Sequence, residues 1–276
     1  LHKPLFDEVP YLNGGLFSPH VDDQYRFSTT TGISELGVVS IPDRWLADFF
    51  ELLEMYNFTI DENILHDTEL SVDPEMLGRI FENLLAEANP ETGDSARKAT
   101  GSFYTPRDIV EYMVDESIIS HVQNSTRIDE NRIRALCSFD SEDDAPHPLS
   151  TQEKKKIVDA LCALTVLDPA CGSGAFPIGV LQKVVYMLGV VDPNCDLYLE
   201  QQLKGASAEF KRSIMANKKE HNLNYVRKLG VLRESIYGVD IQPIAVEISR
   251  LRCFLTLVVD QHVDDCKPNK GIDSLP

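Results

Sequence analysis

The residues with most chemical content lie on three short strings. Asp168-Pro169-Ala170-Cys171-Gly172-Ser173-Gly174-Ala175-Phe176 sets an acid ahead of a loop of small residues. Gly172 and Gly174 allow positive φ and close approach of a ligand to the peptide groups, and the unpaired N–H groups of a helix start behind the loop would face that ligand. Tyr104-Thr105-Pro106-Arg107-Asp108 offers a hydroxyl at a second helix start, suited to an anionic group. Asp240, in Val239-Asp240-Ile241, is an acid to which two sugar hydroxyls could donate. A phosphate loop would need Gly-Lys-Ser/Thr, which is absent, and a dinucleotide fingerprint would need a third glycine where Pro177 stands, the next glycine being Gly179. Taken singly, the loop also reads as a ligand-free turn, and Asp240 as a helix cap. Cys171 reads as a small turn residue, not a nucleophile.

The elements that must position these strings follow from periodicity. Leu164, Val166 and Leu167 predict a strand ending at Asp168. An apolar set at helical spacing, Ile178, Leu181, Val184, Val185 and Leu188, predicts a helix from Phe176 to about Gly189. Ile236 to Val239 predict a second strand with Asp240 at its carboxyl end, and Pro243 opens a helix whose apolar stripe is Ile244, Ile248, Leu251, Leu255 and Val258. Thr105 as N-cap and Pro106 at the first position predict a helix carrying Ile109, Val110, Tyr112, Met113 and Val114. The fold class is therefore α/β, with a partial parallel sheet. Residues 1–99 read as a mainly helical N-terminal segment. One helix is capped by Asp43 and faces a core through Trp45, Leu46, Phe49, Leu52 and Leu53. A second is opened by Asp73-Pro74 and carries Leu77, Ile80, Phe81, Leu84 and Leu85. Residues 100–276 form the sheet-bearing part, with a polar helical insertion at about 192–234. Its basic residues, Lys211, Arg212, Lys218, Lys219, Arg227, Lys228 and Arg233, are either a local positive surface or a solvated helix face.

Composition bounds the partners. Lys and Arg total 26 against 44 Asp and Glu, a net charge of −18, so the chain as a whole repels a phosphate backbone. The six cysteines show no Cys-x-x-Cys pair or zinc-finger spacing, which predicts no metal site and reduced, cytoplasmic thiols. No run of eighteen apolar residues and no leader pattern is present, so neither a membrane span nor a signal peptide is expected. Glu153-Lys154-Lys155 could be matched to a Mg-dependent nuclease pattern, but it opens a helix instead of lying on a strand.

The Asp168 to Phe176 string closely resembles the cofactor-binding signature of S-adenosylmethionine-dependent methyltransferases that modify the adenine amino group in DNA. Gly101 to Pro106 is similar to a second motif of the same enzymes, and Gly238-Val239-Asp240 to a third. Leu12-Asn13-Gly14-Gly15-Leu16-Phe17 and Leu77-Gly78-Arg79-Ile80-Phe81-Glu82 complete a resemblance, from about Pro10 to Asp260, to type IIG restriction-modification enzymes and related phage-defence adenine methyltransferases. The resemblance implies a Rossmann-like core preceded by a helical segment, acting on DNA. It implies that Tyr104, Thr105 and Pro106 line the methionine end of S-adenosylmethionine. Asp168, Pro169, Ala170, Cys171, Gly172, Ser173, Gly174 and Phe176 would line its amino-acid and ribose side, and Asp240 with Ile241 the ribose hydroxyls.

The sequence departs from that family in one respect. The catalytic string Asn/Asp-Pro-Pro-Tyr/Phe, which holds the flipped adenine, does not occur, so no catalytic residue is assigned. The expectation is a fragment, starting without methionine, that carries the cofactor half of a longer enzyme and is inactive alone. The alternative is a non-catalytic cofactor-binding or assembly module of a DNA modification or defence complex.

Overall fold

The computed structural model describes residues 26–27, 34–35, 42–54, 57–58, 71–72, 105–138, 149–204, 222–258 and 260. Tyr104, the Asn13-Gly14-Gly15 string, the helix expected from Asp73, and Lys211, Arg212, Lys218 and Lys219 lie outside them. In the first hundred residues the chain pairs β1 (Arg26–Phe27) with β2 (Ser34–Glu35) antiparallel and β3 (Asn57–Phe58) with β4 (Ser71–Val72) parallel, with helix α1 (Asp43–Glu54) between the pairs. The α1 face predicted to meet a core is in fact open to solvent: Trp45 is 58% exposed and Leu52 49%, with Trp45 stacked on Phe49 at 5.7 Å between ring centroids.

The main body is a helical layer. Helix α2 (Arg107–Thr126) buries Val110, Val114, Ile118, Ile119 and Val122, a stripe at steps of about four residues. It packs against α3 (Glu130–Cys137), α4 (Thr151–Cys162) and α5 (Ala175–Val191). Helix α5 is buried nearly all round because AFPIGVLQKVVYMLGVV is apolar on every face but for Gln182 and Lys183. Lys183, 3% exposed, spans three elements: its Nζ lies 2.9 Å from Asp115 Oδ1 and donates to the Cys137 carbonyl at 2.7 Å. Gly179 lets α2 and α5 approach, since a Cβ there would lie 3.0 Å from Val110 Cγ1. The third glycine that a dinucleotide loop would use is thus displaced into a helix contact.

Helices α6 (Asp196–Gln202) and α7 (Leu223–Glu234) are the described ends of the stretch read as an insertion, and both reach the core through Tyr198, Leu199, Val226 and Val231. Of its three described basic residues, Arg233 is half-exposed while Arg227 and Lys228 belong neither to a positive surface nor to a solvated face. Arg227 is 3% exposed and donates to the carbonyls of Asp192 and Pro193 at 2.7 and 2.8 Å, and Lys228 is paired with Asp260 at 2.7 Å. An arginine facing two carbonyls closes a turn; it does not meet an external anion.

Two strands, β5 (Val166–Asp168) and β6 (Ile236–Gly238), pair in parallel, Val166 opposite Ile236 and Asp168 opposite Gly238, and β6 feeds α8 (Pro243–Val258). The described chain is therefore mostly helical with a small parallel sheet, compatible with an α/β fold. The parallel register sends both strands' carboxyl ends to one edge, bringing Asp168 and Asp240 together. The sheet's other face stays open, with Leu167 and Tyr237, which pair in register, 63% and 49% exposed. Among the described residues no helix is long and apolar enough to cross a membrane.

Candidate functional site

Past β5 the chain turns through an Asx turn, Asp168 Oδ1 accepting from the Ala170 N–H at 3.1 Å. The ladder then continues beyond the strands: Val239 N donates to Asp168 O and Cys171 N to Val239 O, both at 2.9 Å. The Asp240 carboxylate closes the loop. Its Oδ2 accepts from Gly172 N at 2.9 Å and its Oδ1 from Gln242 N at 2.8 Å. Gly174 N donates to Cys171 O at 2.8 Å. The peptide N–H groups of Ala170, Cys171, Gly172 and Gly174 are thus consumed in shaping the loop, where the sequence suggested they would face a ligand.

The donors left for a ligand are at the start of α5. Ala175 and Phe176 N–H have no carbonyl within their own helix, and Pro177 has no N–H to satisfy. Two acids of the loop keep acceptor capacity. Asp168 Oδ2 is buried without a hydrogen-bond partner, and the Asp240 oxygens keep lone pairs beyond the two N–H groups they hold. A buried carboxylate oxygen with no donor costs about 1–3 kcal/mol, which marks Asp168 as the under-satisfied acid of the loop. The arrangement suits a ligand with hydroxyls and a cationic group at the acids and a carboxylate at the helix start.

Gly172 and Gly174 have φ of +53° and +90°, as the loop requires, and a Cβ on Gly174 would sit 2.4 Å from Ser249 Oγ. Cys171 is buried, its thiol pushed up by burial first and then by the Asp168 and Asp240 charges. That rules against a reactive thiolate. Ser173 is 2% exposed and Phe176 packs against the core, so both brace the loop, while Pro169 and Ala170 lie at the surface and Ile241 is 78% exposed beside Asp240. Thr105 and Pro106 are placed at the start of α2. The helix begins one residue later than expected: Pro106 is the cap residue, its carbonyl accepting from Ile109 and Val110 N–H, and no side chain caps the end. Proline's fixed φ satisfies the cap position as readily as the first helical one. Among the described residues no group of three or more His, Cys, Asp or Glu converges as a metal site would require.

Sequence reasoning placed α8 but misread its inward face. The stripe expected to face inward is only partly covered, with Ile244 47% exposed, and the buried polar residues of the helix are Ser249, Arg252 and Thr256. Polar residues at three-and-four spacing inside an apolar helix were the available signal. Ser249 fits under Gly174, and Arg252 donates to the Ser173 carbonyl at 2.9 Å.

In sequence the chain is 28% identical, over 280 aligned positions and 96% of its length, to a protein of Methanocaldococcus jannaschii named "putative type II restriction enzyme and methyltransferase". The chain spans 20% of that relative's length. No family model matches the chain, and no solved structure gives a significant match.

Proposed function

We propose that this chain is the S-adenosylmethionine-binding portion of a DNA methyltransferase of a restriction-modification system, acting on the adenine N6 amino group. One observation carries the reading. The loop after β5, the acid after β6 and the start of α5 form a cradle in which Asp168 Oδ2 lacks a donor. Asp168 Oδ2 fits the α-ammonium of the methionine part. Asp240 fits the ribose hydroxyls, Ala175 and Phe176 N–H fit a carboxylate, and exposed Ile241 offers an apolar face beside the base. Thr105 and Pro106 would close the methionine end together with Tyr104. When bound, the cofactor supplies an electrophilic methyl group on a sulfonium; the chain's own residues bind and orient it. The relative's printed name, which joins restriction with methyl transfer, supports the wider class, a type IIG-like enzyme acting on DNA.

The same reading divides the chain near residue 100 into a helical lead segment and a Rossmann-like part. Without an Asn/Asp-Pro-Pro-Tyr/Phe string among the 276 residues, it assigns the chain cofactor binding and no methyl transfer of its own. That absence also favours a second reading, a cofactor-binding assembly module, which differs in that the longer protein would bind the cofactor and never methylate DNA.

Isothermal titration of the chain with S-adenosylmethionine and S-adenosylhomocysteine tests the proposal. Both should bind, and Asp240→Ala should weaken binding by about 1.5–3 kcal/mol, roughly ten- to a hundredfold, as expected for loss of charge-assisted bonds. Unchanged affinity in Asp240→Ala, or tighter binding of NAD, would sink it.

A further inference from the structure

The loop that carries the candidate site borders an open pocket on one side. Behind Cys171 and Gly238 lies a cavity of about 280 Å³, walled by Val246, Ser249 and Cys253. Cys171, Ser173 and Phe176 pack inward, and the pocket leaves only one side of the loop without close contacts. What reaches across is α8. Arg252, 2% exposed, donates from Nη1 to the Ser173 carbonyl at 2.9 Å, and three residues earlier Ser249 fills the space that a Cβ on Gly174 would need. A guanidinium taken out of water is retained only where hydrogen bonds offset its desolvation, and here one of them is spent on a loop carbonyl. By holding the Ser173 carbonyl toward α8, Arg252 fixes the plane of the Ser173–Gly174 peptide. Gly174 is then kept at φ +90° as the residue that starts α5.

We infer that Arg252 is a positioning residue: through the Ser173 carbonyl it sets the direction in which the first N–H groups of α5, and the loop ahead of them, face the ligand. The inference rests on the cofactor reading for the identity of the ligand, but the ordering of the loop by Arg252 does not. Because α8 also begins just past Asp240, the same helix anchors the acid at one end and the loop at the other. Arg252 acts on the amino-acid side, whereas Asp240 acts on the ribose.

The test compares the wild-type chain with Arg252→Met and Arg252→Lys. Amide hydrogen exchange without ligand should rise about tenfold or more at Gly172 and Gly174 in Arg252→Met, with α2 and the middle of α5 unchanged, and Arg252→Lys should restore part of the protection. In titrations, Arg252→Met should lose about tenfold or more in affinity for S-adenosylhomocysteine and much less for adenosine, which lacks the amino-acid end. A general loss of structure would weaken both equally and raise exchange everywhere. Unchanged loop exchange in Arg252→Met overturns the inference, as does equal weakening of the two ligands. If Arg252→Met does not fold, Arg252→Gln replaces it. In the wild-type chain, a scalar coupling across the Arg252 Nη–H to Ser173 carbonyl bond should be visible by nuclear magnetic resonance, and its absence also overturns the inference. If the wild type binds neither nucleoside ligand, the cofactor reading fails, while the exchange result still decides the role of Arg252.

Discussion

Gly238 and Cys171 meet where β6 passes behind the loop, and the contact is tight: a Cβ on Gly238 would lie 3.0 Å from Cys171 Sγ and 3.2 Å from its Cβ. The small size of both residues is thus a joint requirement. Gly238→Ala should destabilise the chain by about 1–3 kcal/mol through overpacking. Cys171→Gly in the same chain should recover part of that loss, whereas two independent sites would add their costs. A double-mutant cycle by urea denaturation measures the coupling, and strict additivity would show that the contact is slack. The sequence made Cys171 legible as a small turn residue, because it stands among Ala170, Gly172, Ser173 and Gly174 in a loop of small residues. It could not show Gly238 as the reason, since that contact joins a loop residue to a strand far along the chain. Arg252 was hidden for the same cause. Its partner is a backbone carbonyl, and backbone atoms leave no trace in residue types.

At the scale of elements, helix starts decide how the layer is built. Ser150 opens α4 with a full capping box: its Oγ accepts from Glu153 N, and the Glu153 carboxylate accepts from Ser150 N at 2.8 Å. Arg132 on α3 donates to the same carboxylate, which ties the two helices together. These contacts, Arg132 first and then Ser150, hold the Glu153 carboxyl down to about 2 from an ordinary 4.5. A depressed acid stabilises the fold above its unfolded pKa and loses that contribution as pH falls through the folded one. Wild type should therefore melt higher than Glu153→Gln near neutral pH, and the gap should narrow steadily from about pH 4.5 toward pH 2. A gap that does not change with pH would refute the assignment. The same geometry leaves Glu153 engaged as a cap, which agrees with reading Glu153-Lys154-Lys155 as a helix start. Strand and helix positions from Leu164 to Val191 and from Ile236 to Val258 were legible to within about two residues, because the apolar period changes sharply at Asp168, Gly174 and Pro243. The inward face of α8 was not legible, because its buried residues are chosen to fit a loop. In α1 the opposite failure occurred: a clear amphipathic pattern predicted a core contact, but pattern alone does not supply the surface that would cover it.

For the molecule as a whole, charge sets the terms of any encounter with DNA. The net charge is −18, and two basic residues that could have offset it locally, Arg227 and Lys228, are committed to carbonyls and to Asp260. The chain alone should not retard a 30-base-pair duplex at about 0.15 M salt, where even non-specific binders reach only about 10⁻⁴ to 10⁻⁶ M. A salt-sensitive shift in gel retardation would contradict this and point to a basic surface outside the described residues. The pairing that builds the site has a further consequence, one of timing. Gly172 and Asp240, whose bond closes the cradle, lie 68 positions apart, the same separation as Lys183 and Asp115, which tie α5 to α2. Closing so long a loop is entropically costly before other contacts reward it. The helical layer and the cradle each need such a closure, and the cradle is completed only when the strand that follows α7 has docked. A binding-competent pocket therefore depends on β6 as much as on the loop it closes, and a chain in which β6 has not docked would keep the helices ahead of it while holding nothing.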